Sequence, residues 1–193
     1  MRYGALAFLL AVASTAAARC ASDPLPREVG PATPLSASSL AVTDSGPTSP
    51  RRPTVPCSVT RIVDGDTIEC DGVHRVRLIG MDTPEANQPP FGEQASAALA
   101  TMIAVGSTVA LEPDVEPRDR YNRVLAYVWV GRSLINWRMV REGWAVLLTY
   151  PPNVQYVEAL TDAERRAREE DRGLWASGGF DCRPVDRRGR RCE

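Results

Sequence analysis

Before Cys57 the apolar residues of this chain follow no period; after it they recur every second residue, then every third or fourth. Ser58 to Val63 is short and β-favouring, Asp64-Gly65-Asp66 reads as a turn, and Thr67 to Glu69 continues as a second strand. After the turn signal Asp71-Gly72, residues Val73, Arg75, Arg77 and Ile79 alternate against His74, Val76 and Leu78, which predicts a third strand. Glu93 to Ala104 is alanine-rich and helical, and Gly106 stops it. Thr108 to Leu111 and Val124 to Val130 complete the strands. Ser133 is placed to cap a helix through Ile135, Met139 and Val140 to Gly143. Asn153 is placed to cap the last helix, where Val157, Leu160, Ala163 and Ala167 share a face and Arg165, Arg166, Arg168, Glu169 and Glu170 take the wet side. Gly173 ends it. Five strands with one helix inserted and two following predict a mainly β fold with α elements, a small closed barrel carrying three helices.

The first 56 residues stand apart from this pattern. Arg2, the apolar run Ala5 to Ala13 and the small residues Ala16-Ala17-Ala18 predict an export leader over residues 1–18. The run is well short of the ~20 residues of a spanning helix. Cys20 is a lesser candidate for lipid attachment, because Arg19 stands where a lipobox wants a small residue. Residues 19–56 are rich in proline, serine and threonine and poor in large apolar groups, so they read as a disordered linker. The folded unit is expected over 57–176, followed by an arginine-rich tail over 177–193. The expected destination is outside the cytoplasm, whether secreted, periplasmic or at the cell surface.

Composition narrows the chemistry. All 23 basic residues are arginine, so Schiff-base and phosphate-loop lysine mechanisms are excluded. His74 is the single histidine, which excludes mechanisms and metal sites that need two. No Gly-x-Ser-x-Gly elbow is present to make it part of a serine hydrolase; a solvated strand position suffices for it. Trp129, Trp137, Trp144 and Trp175 read as core. A net charge of −1 means that any anion-binding surface is a local cluster. Five cysteines in an exported chain, without a Cys-x-x-Cys spacing, indicate disulfides. Leaving Cys20 aside, Cys57, Cys70, Cys182 and Cys192 allow three pairings; the local pairs Cys57–Cys70 and Cys182–Cys192 are favoured, with Cys57–Cys182 open.

Candidate chemistry gathers around three segments. Asp66 follows a tight turn, Asp82 follows a strand and runs into Thr83-Pro84-Glu85, and Arg77 lies five residues before Asp82. Asp119-Arg120-Tyr121-Asn122-Arg123 adds a second arginine cluster at the mouth of a strand. Singly these are a hairpin turn, a loop entry and a solvated strand arginine with Glu69 as partner. Together, carboxylates for a hard cation, arginines for phosphoryl oxygens and a further carboxylate for water are what metal-assisted phosphodiester hydrolysis needs.

The segments "VTRIVDGDTIE", "RVRLIGMDTPE" and "DRYNRVLAYVWV", followed by "LINWRMVREGWA" and "YPPN", resemble the staphylococcal nuclease family over roughly residues 58–175. The resemblance implies the five-stranded oligonucleotide-binding barrel with three helices. It places the family's calcium ligands on Asp66, Asp82 and the Thr83 carbonyl, its catalytic glutamate on Glu85 and its phosphate-binding arginines on Arg77 and Arg123. Asp119, Arg120 and Tyr121 match the loop at the terminal phosphate, and Tyr150 matches one of two tyrosines near base and sugar. Leu148 stands where the other would be, and the short loop "ANQPPFGEQAS" lacks basic residues; weaker base stacking and strand guidance follow. The implied activity is a calcium-dependent, monomeric nuclease acting on single- and double-stranded DNA and on RNA, leaving 3′-phosphorylated products, with no obligate protein partner. The alternative is a catalytically weak nucleic-acid-binding barrel, against which the presence of Asp66, Arg77, Asp82, Glu85 and Arg123 counts.

Overall fold

The computed structural model describes residues 45–192; the leader, Cys20 and the linker up to residue 44 lie outside the described residues. Along the chain come β1 (Val55–Ile62), β2 (Thr67–Cys70), β3 (His74–Leu78), β4 (Gly80–Asp82) and α1 (Phe91–Met102). Then follow β5 (Thr108–Glu112), β6 (Val124–Val130), β7 (Ser133–Leu134), α2 (Ile135–Arg141) and β8 (Val146–Leu148). The chain finishes with α3 (Val157–Glu169), a short 3₁₀ turn at Gly173–Trp175, and α4 (Pro184–Arg188).

β1 is long enough to serve two partners. Its first half pairs antiparallel with β5 and its second half with β2, and the register shifts between Val59 and Arg61. Such an irregularity bends a strand and sharpens its twist, which lets one strand turn the corner of a barrel. β2 pairs with β3 and β5 with β6, both antiparallel, and a parallel β3–β6 pair closes the circuit. Five strands thus make the expected closed barrel. Val59, Ile68, Val76, Leu78, Ala126 and Val128 fill it, each nearly or fully buried. Leu99 of α1, Met139 of α2 and Leu160 of α3 join the same core, each burial worth ~1.5–3 kcal/mol. Trp129 is fully buried, whereas Trp137, Trp144 and Trp175 are only partly so.

Both local disulfides form, Cys57–Cys70 across β1 and β2 and Cys182–Cys192 around α4. The two caps expected from side chains do not. α2 starts after Leu134 and α3 after Tyr156, neither with a side-chain cap bond. Ser133 instead pairs with Val130 in β7. The Asn153 amide accepts from the Glu116 N–H at 2.8 Å and donates to its carbonyl at 3.0 Å, two long-range bonds in place of one local cap. β4 and β8 form a separate two-stranded ribbon, with three residues in each strand, too short for alternation to reveal.

The linker composition does not keep its last residues off the fold. The Arg51 and Arg52 N–H groups donate to Glu112 Oε1 at 2.7 and 2.8 Å, and Arg52 pairs with Asp114 at 3.1 Å. Glu112 is fully buried and also accepts from the Trp129 indole at 2.7 Å and the Tyr156 hydroxyl at 3.0 Å. At the other end, Phe180 is buried against Leu174 and Val146, so the arginine-rich tail is packed down at its root.

Candidate active site

A five-residue turn sets the first carboxylate. The Val63 N–H reaches the Thr67 carbonyl at 2.9 Å, and the Asp66 N–H donates to Asp64 Oδ1 at 3.0 Å. A Cβ at Gly65 would lie 2.8 Å from both Ala95 Cβ and Thr83 Oγ1, so only glycine lets the turn close onto α1 and the Thr83 loop. Asp66 then leads into β2. The β2–β3 register pairs Thr67 with Arg77, which brings Arg77 beside Asp66.

The second carboxylate arrives from β4. The chain leaves the barrel at Ile79, and β4 pairs with β8 so that Asp82 faces Val146 in register. Asn136 fixes this departure by donating to the Ile79 carbonyl at 2.8 Å while accepting from the Val128 N–H at 2.8 Å.

Arg77 joins the two. Its Nη1 pairs with Asp66 Oδ1, and its Nη2 donates to Asp82 Oδ1 at 3.0 Å and to the Met81 carbonyl at 3.2 Å. Asp66 Oδ2 accepts from the Thr83 N–H and hydroxyl, each at 3.1 Å. Asp66, Asp82 and Thr83 are all buried. Burial pushes the Arg77 pKa down, with the charge of Asp82 opposing that shift. Glu85 follows on a turn closed by Gln88, whose amide oxygen accepts from the Glu85 N–H at 3.2 Å. Five of the sequence-predicted site residues thus converge.

Arg123 sits apart from this knot. Its Nε donates to Asp119 Oδ2 at 2.7 Å, and its N–H donates to Asp119 Oδ1 at 3.0 Å. Burial works to raise the Asp119 pKa, but the bonds and charge of Arg123 outweigh it and hold the carboxyl below the usual aspartate range. The hydrogen bonds accepted by Asp119 tie its own loop together; Tyr121 also donates its N–H to Oδ1 at 2.9 Å. Tyr121 is exposed, with the Arg120 guanidinium 4.8 Å and that of Arg123 5.5 Å from its ring centre. The charge of Arg123 still reaches Arg77 and Asp64. Tyr150 is 67 % exposed, on a loop that Asn153 clamps to Glu116 just ahead of the Asp119 turn.

Two further residues enter the site that sequence reasoning passed over. Asp64 is half-buried in the turn, where burial raises its pKa and the Arg77 charge partly offsets the rise. Its place two residues before Asp66 was the available signal. Arg188 of α4 donates from Nη2 to Asp82 Oδ2 at 2.7 Å and from Nη1 to Glu85 Oε1 at 2.6 Å. No local pattern in an arginine-rich tail marks one arginine among several.

The donors suit a hard divalent cation. Asp66 and Asp82 offer carboxylate oxygens and Thr83 a carbonyl, with no nitrogen or sulfur among them, and both carboxylates already share the positive charge of Arg77. Among the described residues no group of three or more histidine, cysteine or acidic side chains is arranged to hold a metal alone. A hard divalent cation held by these oxygens would complete its shell with water and substrate.

Comparison with known proteins finds relatives of this chain. The family profile described as staphylococcal nuclease homologue matches residues 75–177. A thermonuclease of Staphylococcus intermedius is 41% identical over 125 residues, covering 61% of this chain and 74% of that protein. A thermonuclease of Staphylococcus hyicus is 37% identical over 127 residues, covering 62% and 75%. The SPbeta prophage-derived endonuclease YokF of Bacillus subtilis (strain 168) is 35% identical over 136 residues, covering 65% of this chain and 46% of its own length.

Proposed function

Given that this chain belongs to the staphylococcal nuclease family and is a nuclease, a hydrolase of phosphodiester bonds, we propose that it is exported and calcium-dependent. We propose further that it cleaves both DNA and RNA with little sequence preference. The observation that carries the reading is the convergence of Asp66 and Asp82 on Arg77, with Glu85 tied to Asp82 through a shared guanidinium.

Asp66, Asp82 and the Thr83 carbonyl would hold the calcium ion, which when bound neutralises charge developing on the phosphoryl oxygens and helps orient water. The residues of the chain do the rest. Arg77 and Arg123 bind the scissile phosphate, their planar donors matching two phosphoryl oxygens at once. Glu85 takes a proton from the attacking water as its oxygen bonds to phosphorus. The bond from phosphorus to the 5′ oxygen breaks, and that oxygen is protonated from solvent, leaving a 3′-phosphate and a 5′-hydroxyl. Export is supported by the leader pattern over 1–18 and by the two disulfides.

The test is cleavage of single-stranded DNA and of RNA by the purified protein, with calcium or with chelator. Cleavage is expected only with calcium, and Asp66→Ala is expected to abolish it. Full activity of Asp66→Ala in chelator would overturn the metal assignment. Mature protein collected outside the cytoplasm is expected to begin near Arg19 or Cys20 by intact mass, and a retained Met1 would refute the leader.

A further inference from the structure

The loop closed by Cys182–Cys192 lies beyond the residues 75–177 that the family profile matches. Its root is anchored twice. Phe180 is buried against Leu174 and Val146, and Arg183 Nη2 donates to Glu164 Oε1 of α3 at 2.8 Å. From that root α4 runs to Arg188, whose guanidinium spans Asp82 Oδ2 at 2.7 Å and Glu85 Oε1 at 2.6 Å. One side chain from this loop therefore sits on the candidate metal ligand and on the candidate base together.

The bookkeeping of oxygens makes this contact consequential. Asp82 is fully buried, with Oδ1 held by Arg77 and Oδ2 by Arg188. A dication seeking Asp82 meets a carboxylate whose outer oxygen already carries a positive partner. The same guanidinium occupies one of the two oxygens of Glu85, the candidate base. Removing Arg188 with nothing in its place would strip a buried carboxylate of a counter-charge, which is costly.

We propose that Arg188 is an internal competitor for the divalent cation, an autoinhibitory strap that must lift from Asp82 and Glu85 before metal and scissile phosphate can bind. The inference rests on the nuclease reading above. In this scheme the apparent affinity for the cation is the intrinsic affinity multiplied by the fraction of molecules whose strap is open. The disulfide and the two root contacts keep Arg188 at high local concentration, so the fraction is small.

Calorimetric titration of calcium into the full chain tests this, comparing the parent with Arg188→Ala and with the double variant Cys182→Ser, Cys192→Ser. Arg188→Ala is expected to bind calcium ~10-fold or more tightly. The double serine variant leaves every site side chain in place and is expected to shift in the same direction, so the competition is readable even where Arg188→Ala folds poorly. The rise in Tm on adding calcium should be larger for both variants than for the parent. Calcium affinities within twofold of one another, with all proteins cleaving DNA, would overturn the strap and leave the nuclease reading intact. A fall in kcat at saturating calcium in Arg188→Ala would also overturn it, by making Arg188 a phosphate-binding group. Absence of both calcium binding and cleavage in parent and variants alike would overturn the strap and the calcium site together.

Discussion

Arg77 holds two carboxylates at once, whereas Arg123 is held by one carboxylate of its own loop, and this divides their work. Arg77 bridges Asp66 and Asp82 and so also assembles the site. Lysine offers one point charge in place of a planar fork and cannot span both. Arg77→Lys is accordingly expected to lose ~10²–10³ in kcat, the scale of removing a donor to developing charge. The Glu85 carboxylate pairs with Arg188 and takes no part in assembling the Asp66–Arg77–Asp82 knot, so Glu85→Gln should fold normally. General-base help is worth ~10²–10⁴, and Glu85→Gln should lose a factor in that range while still binding calcium. Steady-state kinetics on a short oligonucleotide decide the matter. A raised KM with unchanged kcat in both variants would show ground-state binding only.

At the scale of elements, the position of Asp82 depends on where β3 ends and β4 begins. Gly80 turns the chain with a φ of +78°, and a Cβ there would meet Leu160 at 2.6 Å. Asn136, at the start of α2, then ties the Ile79 carbonyl to the Val128 N–H deep in the core. It is fully buried. Asn136→Ala would leave both backbone groups without a partner in an apolar setting, at a cost of ~1–3 kcal/mol for each unsatisfied group. The expected result is a loss of ~2–6 kcal/mol, seen as a lower urea midpoint at unchanged m-value. Cleavage should fall at temperatures where the variant is still folded, because β4 carries Asp82. Wild-type stability in Asn136→Ala would show that the tie contributes nothing.

For the whole molecule, Glu112 joins the chain ahead of the barrel, the barrel wall and α3. It accepts from Arg51, Arg52, Trp129 and Tyr156. The Tyr156 ring meets that of Tyr127 edge-on, with centroids 4.7 Å apart. Burial, helped by the bond to Glu112, pushes the Tyr156 pKa up to about 12. Burial raises that of Tyr127 as well. A tyrosine whose pKa is raised on folding contributes stability that is complete below the unfolded value of ~10 and is lost as pH rises through the folded value. Tm is therefore expected to hold steady up to pH ~10 and to decline from there through ~12. A Tm that stays flat across that interval would refute the role given to this pair.

The alternating pattern after Cys57 was enough for the barrel strands and three helices, because a half-buried strand and an amphipathic helix write their burial into their own periods. Asp66, Arg77, Asp82, Thr83 and Glu85 could be read together because they lie close along the chain, where β2 pairs with β3 in register and β4 follows β3 directly. The linker and tail were read from composition, which reports how much apolar surface a segment can bury alone and nothing of the polar partners it finds elsewhere. Arg51 and Arg52 dock on Glu112 some sixty residues away, and Asn153 leaves its helix cap for the backbone of Glu116. Arg188 reaches Asp82 and Glu85 across more than a hundred residues. Such pairings depend on which surfaces the closed barrel brings side by side. Local sequence therefore determined the elements and the carboxylate–arginine set, while tertiary structure alone decided what covers that set, because a buried charge takes whichever counter-charge the fold places within reach.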